Sequence, residues 1–79
     1  MDIKELKGFL ENKCVPPDSY TIGGGLPNEQ YCIYEDVLNK KWEVYYSERG
    51  NKSGLKIFEG ESEACNYFVD ILRQDGFFR

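Results

Sequence analysis

Apolar residues at Ile3, Leu6, Phe9 and Leu10 recur with the period of a helix, and Lys4, Lys7 and Glu11 fall away from that stripe. Asp2 followed three residues later by Glu5 matches a capping box. The pattern predicts an amphipathic helix over about 2–13, ended by Pro16-Pro17, because the residue before a proline is pushed out of the helical region. The period then changes to two. Tyr20-Thr21-Ile22 is a short β-prone run, and Gly23-Gly24-Gly25-Leu26-Pro27-Asn28 reads as a loop. Tyr31 to Glu35 is a second run. Asp36 to Lys40 turns the chain, with Asn39 the candidate for a left-handed position. Lys41 to Glu48 carries the clearest alternation: Trp42, Val44 and Tyr46 against Glu43, Tyr45 and Ser47. Arg49 to Gly54 reads as a polar hairpin loop, and Leu55 to Glu59 as the partner strand. Helical spacing returns at Ala64, Cys65, Phe68, Ile71 and Leu72. Ser62 or a neighbour caps that helix and Gly76 stops it. Phe77-Phe78-Arg79 trails out, its two aromatics expected to fold back onto the body.

The predicted architecture is therefore α+β: an N-terminal helix, a three- to four-stranded antiparallel meander and a C-terminal helix, with both helices on one face of the sheet. Strand alternation places Ile33, Trp42, Val44, Tyr46 and Ile57 toward the helices. It turns Cys32, Tyr34, Glu43, Tyr45 and Lys56 toward an open reverse face.

Composition narrows the function classes. Residues 1–79 suffice for one domain. So small a chain needs an efficient core, and one Trp, six Tyr and five Phe supply it. Cys14, Cys32 and Cys65 are odd in number and widely spaced, and histidine is absent, which fits three reduced, partly buried thiols in a cytoplasmic protein. No apolar run is long enough to span a bilayer, and Met1-Asp2-Ile3-Lys4-Glu5 lacks a signal core, so the expectation is a whole, unprocessed, soluble chain. The net charge of −4 disfavours nucleic acid and anionic membranes as partners and favours a basic protein surface.

Chemistry-bearing patterns are sparse. A phosphate loop at Gly23-Gly24-Gly25 would want a basic residue and a helix start beyond it; Leu26-Pro27-Asn28-Glu29 stands there, which favours a sharply turning connection. Glu35 and Glu43 could meet across a hairpin as a hydrolytic pair, but solvated strand charges are the plainer reading. No catalytic, cofactor-binding or metal-binding residues are assigned, and no enzymatic activity is expected. The set that suits recognition is Tyr34, Glu35, Glu43, Tyr45, Glu48 and Arg49: tyrosines among charges on the reverse face and at the adjoining hairpin tip. Plain cross-strand pairing is the competing account.

Three stretches carry a resemblance: Gly24-Gly25-Leu26-Pro27-Asn28-Glu29-Gln30-Tyr31-Cys32-Ile33, Lys41-Trp42-Glu43-Val44-Tyr45-Tyr46-Ser47-Glu48-Arg49-Gly50, and Phe58 with Glu63-Ala64-Cys65 and Tyr67-Phe68. They are similar to segments of small single-domain immunity proteins of bacterial polymorphic, contact-dependent type toxin systems. The resemblance implies a cytoplasmic inhibitor that binds a cognate toxin, a basic nuclease domain being the natural electrostatic match. Such a protein acts without a cofactor, as a monomer or weak dimer. A regulatory adaptor or nucleic-acid-associated module is the alternative from another class.

Overall fold

The computed structural model describes residues 1–78; Arg79, the last residue of the expected tail, lies outside them. Helix α1 spans Ile3–Asn12. A single 3-10 turn, Pro17–Ser19, leads into β1 (Tyr20–Ile22), followed by β2 (Gln30–Asp36), β3 (Lys41–Glu48), β4 (Asn51–Phe58) and helix α2 (Glu61–Gln74). The four strands form one sheet in the order β1-β2-β3-β4. The helices pack on it, giving the α+β class expected.

The capping box at the start of α1 is formed: Glu5 N–H donates to Asp2 Oδ1 at 2.8 Å, and Asp2 N–H donates back to Glu5 Oε1 at 3.2 Å. The helix ends before the prolines act. Cys14 takes a left-handed φ of 58°, and Val15 N–H donates to the Leu10 carbonyl, a Schellman-type stop. Helix α2 ends the same way at Gly76, with Phe77 N–H donating to the Leu72 carbonyl. Gly60 rather than Ser62 occupies the N-cap of α2. The two helix starts are tied together by Ile3 N–H donating to Glu61 Oε2 at 2.8 Å.

The core lies between helices and sheet. Leu6 and Leu10 of α1, Ile33 of β2, Val44 of β3 and Ala64, Cys65, Phe68, Val69 and Leu72 of α2 form one buried cluster with Val15 and Phe78. At ~1.5–3 kcal/mol for each large side chain buried, this cluster is the main stabilising term. Phe78 folds back as expected, its ring edge-on to Phe9 at 5.4 Å.

Two departures from the expected meander decide which parts of the sheet stay uncovered. The first strand pair is parallel, with Tyr20 opposite Tyr31 and Ile22 opposite Ile33. A parallel return usually takes a dozen residues or more. Here β1 is three residues long, so the return covers only ~10 Å at strand rise, and the segment 23–29 spans it.

The second departure is in β4, which begins at Asn51 rather than Leu55. The expected long hairpin loop shrinks to Arg49-Gly50, both with positive φ (49° and 77°), as a two-residue primed turn requires. Within β4 the register slips: Val44 pairs with Lys56 but Tyr46 with Ser53, so Gly54 and Leu55 together oppose Tyr45. Gly54 has a φ of 62°, the left-handed conformation of a glycine bulge. The extra residue reverses the facing of everything beyond it. Lys56 shares the helix side with Val44, and Ile57 shares the reverse side with Glu43, the opposite of simple alternation.

Candidate functional site

The reverse face of the sheet was expected to be open, and its centre is not. Gln30, Cys32 and Tyr34 of β2 stand opposite Ser47, Tyr45 and Glu43 of β3 on that face. The segment 23–29, returning from β1 to β2, lies across them. The Tyr45 hydroxyl donates to the Gly25 carbonyl at 2.7 Å. Gly24 rests on the Tyr34 ring so closely that a Cβ there would stand 2.8 Å from Tyr34 Cδ1. Cys32 and Ser47 are fully buried, and Tyr45 is 1% exposed. The glycines thus serve as a sharp, closely packed cover, in keeping with a turning connection.

The cover is held by polar contacts. The Lys52 ammonium lies 2.8 Å from Glu43 Oε1 and 4.7 Å from the centre of the Tyr45 ring, joining β4 to β3 over the buried phenol. Burial, and next the Cys32 thiol beside it, pushes the Tyr45 phenol up to about 12. Burial likewise raises Cys32. The Ser47 hydroxyl is buried with no hydrogen-bond partner among the described residues. Cys65, in the helix-side core, is pushed up to about 11, chiefly by burial. The three thiols are free; Cys14 is exposed rather than partly buried as expected.

The six residues expected to form a binding face are not brought together. Tyr34, Glu43 and Tyr45 do sit side by side on the reverse face, but Tyr45 is sealed and Tyr34 is half-buried under the glycine segment. Glu35 pairs with Trp42 on the helix side, where both line a small hollow with Ile3 and Ile22. Glu35 and Glu43 therefore lie on opposite faces and cannot share a hydrolytic cleft. Glu48 and Arg49 are exposed at the β3–β4 turn, away from the others. The β2–β3 turn differs in detail as well. Asn39 donates from its side chain and its backbone N–H to the Asp36 carboxylate, at 2.8 and 3.3 Å, which lowers the Asp36 pKa. Lys40, not Asn39, takes the left-handed φ of 55°.

What remains open is the margin of that face. Leu55 is 42% exposed and Ile57 56% exposed on β4, beside Glu43 and the Lys52 bridge. Leu26, also exposed, lines a hollow of about 330 Å³ with Gly24, Gly25, Tyr34, Tyr45 and Lys52. Val37 and Leu38 protrude at the β2–β3 turn. These five are the exposed large aliphatics among the described residues, and none comes from a helix. Isolated exposed leucines are ordinary, but Leu55 and Ile57 stand two residues apart on the reverse side of one strand, and an exposed apolar patch is the usual mark of an interaction surface. Strand β4 adds a free edge: it is last in the sheet and exposed along its length except at Phe58. Sequence reasoning missed Leu55 and Ile57 because it read Arg49 to Gly54 as loop, began the strand at Leu55 and turned Ile57 toward the helices. A lone glycine inside a strand pattern is the signal that could have located the bulge.

Among the described residues, no helix is long and apolar enough to cross a membrane, and no group of three His, Cys, Asp or Glu side chains is placed to hold a metal ion. Comparison of the chain with protein families, with curated proteins and with solved structures finds no match.

Proposed function

We propose that this chain is a protein-binding inhibitor of the immunity type, which docks a cognate toxin domain through the β4 margin of its sheet and acts in the cytoplasm without turnover. The observation that carries the reading is the Leu55–Ile57 strip, two aliphatic side chains exposed side by side on a strand whose outer edge is free. Apolar area bordered by charge on the same face (Glu43 and Lys52) has the make-up of a non-obligate interface, with an apolar centre and a polar rim. The net charge of −4 attracts a basic partner and repels phosphate backbones, so a protein rather than a nucleic acid is the occupant.

The test is to express the tagged chain in its source organism, identify what co-purifies, and assay the purified partner for a toxic enzymatic activity. The expected result is stoichiometric inhibition that is lost in a Leu55→Lys, Ile57→Lys double variant whose stability is unchanged. A partner bound and inhibited equally well by the double variant would refute the docking surface. A partner with no toxic activity would refute the immunity reading.

A further inference from the structure

On the helix side, a cleft of about 340 Å³, large enough for one long side chain, is walled by strands β2, β3 and β4 and by the last turns of α2. The cleft owes its space to the bulge: Ser53 and Gly54, which form part of its wall, are small, and a Cβ on Gly54 would meet nothing within 4 Å. Four tyrosines line it, Tyr31, Tyr45, Tyr46 and Tyr67, and the Tyr45 hydroxyl is taken up by Gly25 on the other face. Tyr31 and Tyr46 stand opposite each other across β2 and β3 with centroids 4.8 Å apart, and Tyr67 comes from α2. Ile71, Gln74 and Asp75 complete the α2 wall, following Tyr67 at helical spacing.

Three sources of negative potential converge there. Aromatic faces carry a negative quadrupole that attracts ammonium and guanidinium groups. The carboxylate of Asp75 accepts a hydrogen bond from the Tyr31 hydroxyl and keeps further acceptor capacity. Asp75 is also the C-cap of α2, so the cleft meets the helix end that favours cations. Tyr46 reports the same field: burial, then Glu29, Glu48 and Asp75, raises its pKa. No Lys or Arg among the described residues lines the cleft. Arg73, the nearest cation in α2, instead bonds Asp70 at 3.1 Å and covers the Phe78 ring.

We propose that this cleft receives the cationic end of an arginine or lysine side chain presented by the partner protein, held by the rings of Tyr31, Tyr46 and Tyr67 and the carboxylate of Asp75. The proposal deepens the protein-binding reading and rests on it for the source of that side chain. The cleft and the Leu55–Ile57 strip flank β4 from its two sides, so a partner gripping the free edge reaches both.

The test uses the free chain, isotope-labelled, titrated by NMR with N-α-acetyl-arginine amide and N-α-acetyl-lysine amide, with N-α-acetyl-norleucine amide as the uncharged control. The expected result is saturable shifts centred on Tyr31, Tyr46, Tyr67 and Asp75 at millimolar probe for the two cations and none for norleucine. Binding weakens with salt and falls ~tenfold in Tyr46→Leu and in Asp75→Asn, the size of one cation–π or charge-assisted contact. Absent shifts, equal shifts from norleucine, or affinity unchanged in both variants would overturn the proposal. Because no partner is needed, a failed titration removes the cleft while the Leu55–Ile57 surface stands. A failed partner search leaves the titration result intact.

Discussion

The two faces of the sheet are both covered near β2 and β3, but by different means. On one side the cover is α2 with α1, and the seal is aliphatic and aromatic: Phe68, Leu72, Leu6 and Leu10 against Ile33 and Val44. On the other the cover is the glycine-containing return from β1 to β2, and the seal is largely polar: a phenol bonded to the Gly25 carbonyl, a lysine over its ring, and a glycine flat on Tyr34. An apolar seal is non-directional and tolerates repacking. A seal made from one hydrogen bond and one close backbone approach depends on single atoms. The difference teaches that the reverse face is a second, smaller core, open at its β4 margin and at the hollow beside Leu26.

If that is right, the largest effect comes from truncating either core. Phe68→Ala should cost about 3–5 kcal/mol. Tyr45→Ala should cost nearly as much, roughly 2–4 kcal/mol, because it empties the space under the segment 23–29 and removes the Gly25 bond. Denaturant midpoints of the two variants check this directly. A Tyr45→Ala protein within about 0.5 kcal/mol of wild type, the range of ordinary surface substitutions, would mean that the ring is a surface ring after all. It follows that Tyr45→Ala cannot serve as a probe of partner docking, since it would damage the fold first.

The fold was legible where periodicity ran long. Both helices, the capping box at Asp2 and Glu5, the stop at Gly76 and the inward set Ile33, Trp42 and Val44 are read from spacing alone, because each follows from one element's own geometry. What was not legible depends on how elements meet. Nothing local distinguishes a glycine run that dangles from one that lies over a sheet, since the deciding contact is to Tyr34 and Tyr45, ten and more residues further on. The same holds for β4. Its facing is set by one inserted residue at Gly54, and a slip of one residue exchanges every side chain between faces. Of the expected site, Glu43 keeps its place on the reverse face. Tyr45 and Glu35 were lost, to the cover and to the opposite face respectively.

The next effect in size tests the close approach. Gly24→Ala puts a methyl carbon at 2.8 Å from Tyr34 Cδ1, nearer than such atoms normally stand. The segment must lift, which should destabilise by about 1–3 kcal/mol, as overpacking does. Hydrogen exchange should show faster exchange of Gly23 N–H, which donates to the Ile33 carbonyl at 2.8 Å, while amides of α1 are unaffected. The contrasting variant is Gly8→Ala in α1, where a Cβ would meet nothing within 4 Å and helix propensity should add about 0.5–1 kcal/mol of stability. If Gly24→Ala proves as benign as Gly8→Ala, the cover is loose and the reverse face is available to ligands.

The smallest effect is also the most specific. Tyr45→Phe keeps the ring and deletes only the hydroxyl. The Gly25 residue that accepts its bond is exposed, so water replaces much of the loss and neutral stability should fall by only ~0.5–1.5 kcal/mol. The signature lies at high pH. The folded-state pKa of Tyr45 is about 12 against an ordinary 10.0, so the native state holds this proton more tightly than the unfolded chain. Its stabilising contribution is complete below pH 10 and is lost as pH rises toward 12. Tyr31, also raised to about 12, acts over the same window, and Cys65, raised from 9.0 to about 11, acts in the same direction from about pH 9, so wild-type stability should decline from pH 9 to 12. The Tyr45→Phe protein should decline less steeply, and a Tyr31→Phe, Tyr45→Phe double variant less steeply again. Denaturant titrations at intervals through the window measure the slopes. Identical slopes in wild type and Tyr45→Phe would mean that the phenol titrates as freely as in the unfolded chain, which a ring sealed beneath Gly25 and Lys52 does not allow.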